Sequence, residues 1–166
     1  MGLQVGYCGV KWIRVGNKRV GFYGEYFHQL DEKNRFFVPA KLREKLSFFG
    51  KKLILSRGLD RCLFLFPQSE WESLEEKAST LPLTTKEARQ FTRHLFSGAM
   101  ECELDGQGRI SIPQNLKEYA GIEKEIVIIG VSNRIEIWAS ERWSQYFKEV
   151  DRNVEDIASR LDEFGI

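Results

Sequence analysis

The chain has 166 residues, of which 42% are apolar and 30% charged, with a mean hydropathy of −0.37. That is the profile of a soluble globular protein of one domain or two small ones, and its longest apolar runs, residues 63–66 and 126–129, fall far short of the roughly 20 residues of a transmembrane helix. The formal net charge is +1, yet residues 1–20 hold four basic side chains and no acidic one; without them 21 basic groups face 24 acidic ones, so no overall basic field draws the chain to a polyanion.

Those first residues carry Lys11, Arg14, Lys18 and Arg19 but neither a long apolar core nor a small-residue cleavage site, so they do not read as a secretory signal, and a cytoplasmic location is expected. Cys8, Cys62 and Cys102 are an odd, scattered set with no CxxC pair, which argues for reduced thiols rather than a disulfide framework or a zinc site. His28 and His94 lack an acidic or thiol partner at ligand spacing, and packing or surface roles are expected. No nucleophile with a paired base and no phosphate-cradling glycine loop is recognisable, so no catalytic residue, metal ligand or cofactor is expected.

Along the chain, the pattern predicts a strand over 25–30, a polar turn over 31–34 and a short strand opening at Arg35, which together read as a hairpin. Pro39 then suits the start of a short helix with Leu42 and Leu46 on one face. Strands are expected over 52–56 and 62–66, then a helix over 69–76 in which Ser69 and Glu72 form a capping box. After a break at 81–83, Thr84 with Glu87 is a second capping box, opening a connecting helix to about Leu95. The same order recurs: a strand over 99–104, a turn over 105–108, a strand from Arg109, a helix presenting Leu116 and Ala120, strands over 125–130 and 134–138, and a helix over 141–150. The last stretch, 151–166, has an amphipathic Val154, Ile157, Leu161 spacing and reads as a helix that either caps a neighbour or stands free.

The recurrence is an internal repeat. LDEKNRFFVP at residues 30–39 returns 74 positions later as LDGQGRISIP, and both copies read LDxxxRφxφP, with φ apolar. Leu42 matches Leu116, Glu44 matches Glu118 and Gly24 matches Gly98; after a slip of two, Leu65, Phe66 and Trp71 match Ile137, Trp138 and Trp143. One copy has four short strands and too little core to stand alone, so two copies are expected to pack as one pseudo-symmetric, β-rich α+β domain, closed into a barrel that leaves no edge strand exposed. The expected division is 1–19 outside the fold, repeats at 25–70 and 99–142, connecting helices at 71–98 and a helical tail at 143–166.

At these residues the chain resembles a known family. The two LDxxxRφxφP motifs, the lead-in at 24–30, PQSEW at 67–71 and KEIVIIG at 124–130 are similar to the MraZ family, bacterial transcription regulators built from two SpoVT/AbrB-like repeats. The resemblance covers about residues 20–151 and its motifs in combination are highly specific. It implies a swapped-hairpin, double-split β-barrel, a ring-shaped homo-oligomer, and a nucleoid-associated autorepressor that binds short G-rich direct repeats in double-stranded DNA ahead of a division and cell-wall gene cluster. The matched motif positions are Asp31 with Arg35 and Asp105 with Arg109. Where many relatives carry Gly before the Arg, the first copy has Asn34, a residue that also tolerates left-handed turns.

The chemistry of the motif agrees, since Arg suits bidentate contact with guanine or phosphate and a two-stranded ribbon fits the major groove. The first copy reads as the DNA reader, because Arg35 is surrounded in sequence by Lys33, Asn34, Lys41, Arg43, Lys45, Lys51 and Lys52, while the second offers Arg109, Gln107, Lys117 and Lys124 among more acidic neighbours. A plainer reading stands beside it: each Asp accepts its own turn's N–H groups and pairs with the Arg, a scaffold role that suits Asp31 and Asp105 best. Trp71, Trp138, Trp143, Phe36 and Phe37 read as core or subunit-contact residues. A non-DNA or antitoxin-like interaction module on the same fold is the alternative function.

Residues 1–19 admit a further reading as translated promoter or leader. Back-translation accommodates TGGG boxes about ten nucleotides apart at Val5–Gly6, Cys8–Gly9, Trp12 and Val15–Gly16, every fixed base agreeing except the A that opens Ile13. The alternative is a basic arm that holds phosphates through Lys11, Arg14, Lys18 and Arg19.

Overall fold

The computed structural model describes residues 3–5, 11–15 and 18–161. Strands β1 (Leu3–Val5), β2 (Lys11–Val15) and β3 (Lys18–Arg19) pair antiparallel with one another in a small sheet, in the segment expected to lie outside the fold. Cys8 and residues 162–166 lie outside the described residues.

The first repeat supplies β4 (Phe22–Gln29), β5 (Arg35–Phe37), α1 (Ala40–Leu46), β6 (Leu53–Arg57), β7 (Leu63–Pro67) and α2 (Gln68–Ser79). Helix α3 (Lys86–Phe96) leads into the second, with β8 (Met100–Cys102), β9 (Arg109–Ser111), α4 (Gln114–Ala120), β10 (Glu125–Ser132), β11 (Arg134–Ala139) and α5 (Ser140–Arg160). Pro39 and Pro113 stand just before α1 and α4 with φ of −51° and −62°, one position earlier than the first helical turn. Proline's fixed φ and missing N–H end the strand there without costing the helix a bond.

The main sheet has six strands in the order β4-β10-β11-β7-β6-β8. Its two central hairpins, β6–β7 and β10–β11, stay within one repeat, but its outer ladders do not: β4 pairs with β10 and β8 with β6, each antiparallel and each across the repeats. β5 and β9 form a separate two-stranded ladder, again across the repeats. The hairpins expected at 25–37 and 99–111 are therefore not formed as ladders; two backbone bonds, Asp31 N–H to Arg35 carbonyl at 2.8 Å and Asn34 N–H to Asp31 carbonyl at 3.0 Å, close the first turn, and each following strand then leaves to meet the other repeat. β4 and β8 remain the ends of the sheet, so the expected closed barrel is not completed by hydrogen bonding among the described residues.

Alternation explains why the central strands are nearly all apolar. Leu53, Leu55, Leu63, Leu65, Ile126, Ile128, Ile135 and Ile137 face the main core with Phe36, Ile110, Leu42 and Leu116, whereas Ile54 and Phe66 lie under Trp71 and Leu95, and Val127 and Ile129 lie with Cys62 and Trp138. A sheet covered on both faces has no solvent side on which to place polar residues. The one buried carboxylate on β11, Glu136, accepts from Arg134 Nε at 2.9 Å and Trp138 Nε1 at 3.0 Å.

Neither expected capping box forms. Glu72 accepts instead from Gln68 Nε2 at 2.8 Å, and Ser69 Oγ is buried without a hydrogen-bond partner, because α2 starts directly after Pro67. At α3 the residue before the helix is Thr85, whose hydroxyl donates to Pro82 carbonyl at 3.1 Å, while Arg89 Nη1 donates to the carbonyls of Leu83 and Thr84.

The β4–β10 ladder brings backbones so close at Gly130 that an added Cβ would stand 2.3 Å from Tyr23 N and 2.5 Å from Phe22 C. Backbone cannot swing aside as a side chain does, so Gly130→Ala is expected to cost about 1–3 kcal/mol. Urea unfolding should show a lower midpoint with an unchanged slope; an unaltered midpoint would contradict the cross-repeat ladder.

Candidate functional site

The two LDxxxR turns are built alike. In the first, Asp31 Oδ1 accepts from the backbone N–H groups of Lys33 and Arg35, both at 2.9 Å, and Oδ2 accepts from Arg35 Nε at 2.8 Å and Nη2 at 2.7 Å. In the second, Asp105 Oδ1 accepts from Gln107 and Arg109 N–H at 2.9 Å, and Oδ2 from Arg109 Nε at 2.8 Å and Nη2 at 2.7 Å. The spacing follows from this wiring, because an Asp side chain reaches the N–H two residues on, and the fourth residue brings a guanidinium onto the second oxygen. Asn34 and Gly108, just before each Arg, take φ of +55° and +78°. The left-handed conformation suits Gly and is tolerated by Asn.

The β5–β9 ladder sets these turns side by side. Asn34 carbonyl accepts from Ile112 N–H at 2.9 Å and Gly108 carbonyl from Val38 N–H at 3.0 Å, so each turn is tied to the strand of the other repeat. Arg109 Nη1 lies 3.9 Å from Asp31 Oδ2, and its guanidinium sits 5.7 Å from the centroid of the half-exposed Phe37 ring. Lys117 of α4 donates from Nζ to Asn34 Oδ1 at 2.8 Å. Arg43, its counterpart on α1, lies against Gly108, where an added Cβ would meet Nη1 at 2.3 Å. Each short helix thus sends a cation to the turn of the other repeat.

The site is therefore composite, and the first copy alone does not make it. Of the cations grouped around Arg35 in the sequence, Lys33 and Lys41 are exposed and Arg43 is partly buried. Lys45 instead donates to Gly21 carbonyl beneath the Tyr23 ring, and Lys52 lies 4.0 Å from Glu101. Phe36 is buried in the core as expected, but its neighbour Phe37 points out beside Arg109. Sequence reasoning grouped Lys117 with the second motif rather than with the first turn that it reaches, and read Phe37 as a core or subunit-contact residue rather than as a neighbour of Arg109. The 74-residue offset that equates Arg43 with Lys117 was the available signal.

Arg35 and Arg109 side chains keep 28% and 17% of their surface exposed. Arg has five N–H donors; with Nε and one Nη2 hydrogen spent on the Asp, the Nη1–Nη2 edge is left in a fixed orientation, able to donate in pairs to a planar acceptor. The near-neutral Asp–Arg pair adds little long-range attraction, and the exposed Lys33 and Lys41 are unpaired with any acid in the salt bridges of the described residues. Among the described residues, no group of three or more His, Cys, Asp or Glu is placed to hold a metal ion, and no helix is long and apolar enough to cross a membrane.

With this geometry in view, comparison with known proteins is decisive. The sequence profile of one family, described as "MraZ protein, putative antitoxin-like", matches residues 22–94 and again residues 95–165. The chain belongs to the MraZ family. It is 52% identical over 145 residues to a protein of Halothermothrix orenii, spanning 87% of this chain and 99% of that one. A protein of Clostridium beijerinckii is 57% identical over 145 residues, with the same coverage of both chains. A third, from Caldanaerobacter subterraneus subsp. tengcongensis, is 52% identical over 143 residues, 86% of this chain and 98% of that one. Each carries the name Transcriptional regulator MraZ. The double match to the MraZ profile corresponds to the two tandem repeats and divides the chain within α3.

The arginine side chain and the backbone N–H bonds together hold the carboxyls of Asp31 and Asp105 at about 2, below the ordinary 3.8. A lowered folded-state pKa contributes stability that is present above the ordinary value and lost as pH falls toward 2. The native protein should therefore lose stability between pH 4 and pH 2. The variant Asp31→Asn with Asp105→Asn should start less stable at neutral pH and show a shallower loss over that window. Thermal melts across the window check this; parallel profiles would contradict the wiring.

Proposed function

We propose that this MraZ-family protein is a sequence-specific DNA-binding regulator of transcription, a nucleoid-associated autorepressor in the cytoplasm that holds short G-rich direct repeats with its paired turns. The observation that carries the proposal is the juxtaposition of two identically wired Asp–Arg turns on one ladder, each with an oriented and partly exposed guanidinium. The names of the three relatives support the same reading. In this reading Arg35 and Arg109 donate in pairs to guanine O6 and N7, the commonest specific contact in the major groove. Lys33 and Lys41 meet phosphates, Asn34 and Arg43 shape the turns from which the arginines project, and Asp31 and Asp105 are the scaffold.

The exchange of strands between repeats suits the swapped-hairpin, double-split barrel implied by the family likeness. A ring of identical copies then supplies what one weakly charged chain lacks. Several turn pairs engage successive boxes at high effective concentration, and boxes about ten nucleotides apart present the same groove face to each copy.

Fluorescence anisotropy at stated salt, with the full chain and a duplex of TGGG boxes about ten nucleotides apart, tests the proposal. Binding should fall when the spacing becomes about 15, half a helical turn out of phase. Arg35→Ala should lose discrimination between boxed and scrambled duplexes. Lys33→Ala should weaken both alike and reduce the salt slope by about one. Equal weak binding to every duplex, with a protein partner retained, would instead favour the antitoxin-like interaction module.

A further inference from the structure

Both motif arginines project from the outward face of the β5–β9 ladder, and strand alternation settles what accompanies them. The middle residue of each strand, Phe36 or Ile110, turns inward and is buried, so the outward residues are Arg35 and Phe37 on β5 and Arg109 and Ser111 on β9. The register sets Arg35 opposite Ser111 and Phe37 opposite Arg109. Side chains directly opposite on one face of an antiparallel pair are nearest neighbours, so each arginine has a fixed companion from the other repeat.

The companions differ. The 74-residue offset that equates Arg35 with Arg109 also equates Phe37 with Ser111, so two turns with the same Asp–Arg wiring part company at this outward position. Beside Arg109 stands an aromatic ring, 50% exposed, its centroid 5.7 Å from the guanidinium carbon. Beside Arg35 stands an exposed hydroxyl. The main core takes Phe36 and Val38 from either side of Phe37 but not Phe37 itself, so packing does not account for a large apolar side chain where the other strand carries serine. In the major groove a phenyl ring finds one apolar partner on the base edges, the 5-methyl group of thymine. The other groups there are donors and acceptors, which the ring would strip of water without replacing their hydrogen bonds. Serine bonds to donors and acceptors alike and makes no such distinction.

We propose that Phe37 is a specificity residue, packing on the 5-methyl group of a thymine that adjoins the guanine held by Arg109, while Ser111 imposes no such demand beside Arg35. The two turns of one chain then read unequal base steps, although their arginines are held alike. The spacing suits this, since neighbouring bases on a strand are about 3.4 Å apart along the helix axis and opposed side chains on the ladder stand about 5 Å apart at Cβ. The inference rests on the DNA reading of the proposed function and adds to it a discrimination made without a hydrogen bond.

Deoxyuridine pairs as thymine does but lacks the 5-methyl group, so it isolates the contact. Fluorescence anisotropy with the full chain compares the boxed duplex with one in which the thymine of every box is deoxyuridine. The native chain should bind the uracil duplex about fourfold more weakly or worse, the worth of a buried methyl group, while still preferring it to a scrambled duplex. Phe37→Ser should bind the thymine and uracil duplexes alike. Phe37→Leu, which keeps an apolar surface but offers Arg109 no ring, should retain the preference for thymine. A native chain that prefers boxed to scrambled duplexes yet ignores the methyl group would overturn this inference alone. So would Phe37→Ser that still prefers thymine, or Phe37→Ser and Phe37→Leu that both lose the preference for boxed over scrambled duplexes, since the ring would then serve only to prop Arg109. A native chain with no preference for the boxed duplex at all would overturn the DNA reading, and this inference with it.

Discussion

Because β5 bonds to β9 rather than back to β4, neither LDxxxR turn can complete a hairpin within its own repeat, and the two are held beside each other. Much of the molecule answers to that exchange. β4 runs on to pair with β10 and β8 with β6, so the outer ladders as well as the turns cross the repeats. A single repeat would leave β4, β5, β8 or β9 without its partner and its apolar face open to water. The short helices complete the arrangement from the main core outward: Leu42 and Leu116 are fully buried beneath it, while Arg43 and Lys117 one position on reach the opposite turns.

The Asp–Arg pairing makes the same residues serve as scaffold and as presented groups. Structural and functional readings of Asp31 and Arg35 are thus compatible, since the pair consumes one side of the guanidinium and orients the other. An arginine so paired is poor at attracting distant phosphates, which is consistent with a chain whose formal charge is only +1. In the proposed reading, affinity comes from lysines at the margin and from multiplicity, and discrimination from the oriented arginines.

Much of this was legible in the sequence. The 74-residue offset exposed the repeat, and apolar runs marked the central strands to within a few residues; the left-handed position at Asn34 agrees with the family likeness, in which Gly commonly stands before the Arg. Partner choice was not legible, because a turn followed by a strand looks the same whether that strand folds back or crosses to another repeat. The hairpin expectation failed for that reason. The capping boxes failed for a different one: Ser69 has the right neighbours in sequence, but Pro67 had already started the helix and Gln68 had taken Glu72. Lys45 and Lys52 looked like members of a basic cluster until the fold carried them to Gly21 and Glu101. Local charge runs record composition, whereas the site is assembled by long-range pairing.

Methylation protection at guanine N7 on a duplex carrying the repeated boxes reads the central claim most directly, since N7 lies in the major groove where the arginines are proposed to donate. The account predicts protection of guanines in each box, recurring about every ten base pairs along one face, and its loss with Arg35→Lys, whose single ammonium cannot reproduce the paired fork. Bound protein with every guanine N7 equally reactive, or protection unchanged by that substitution, would contradict it.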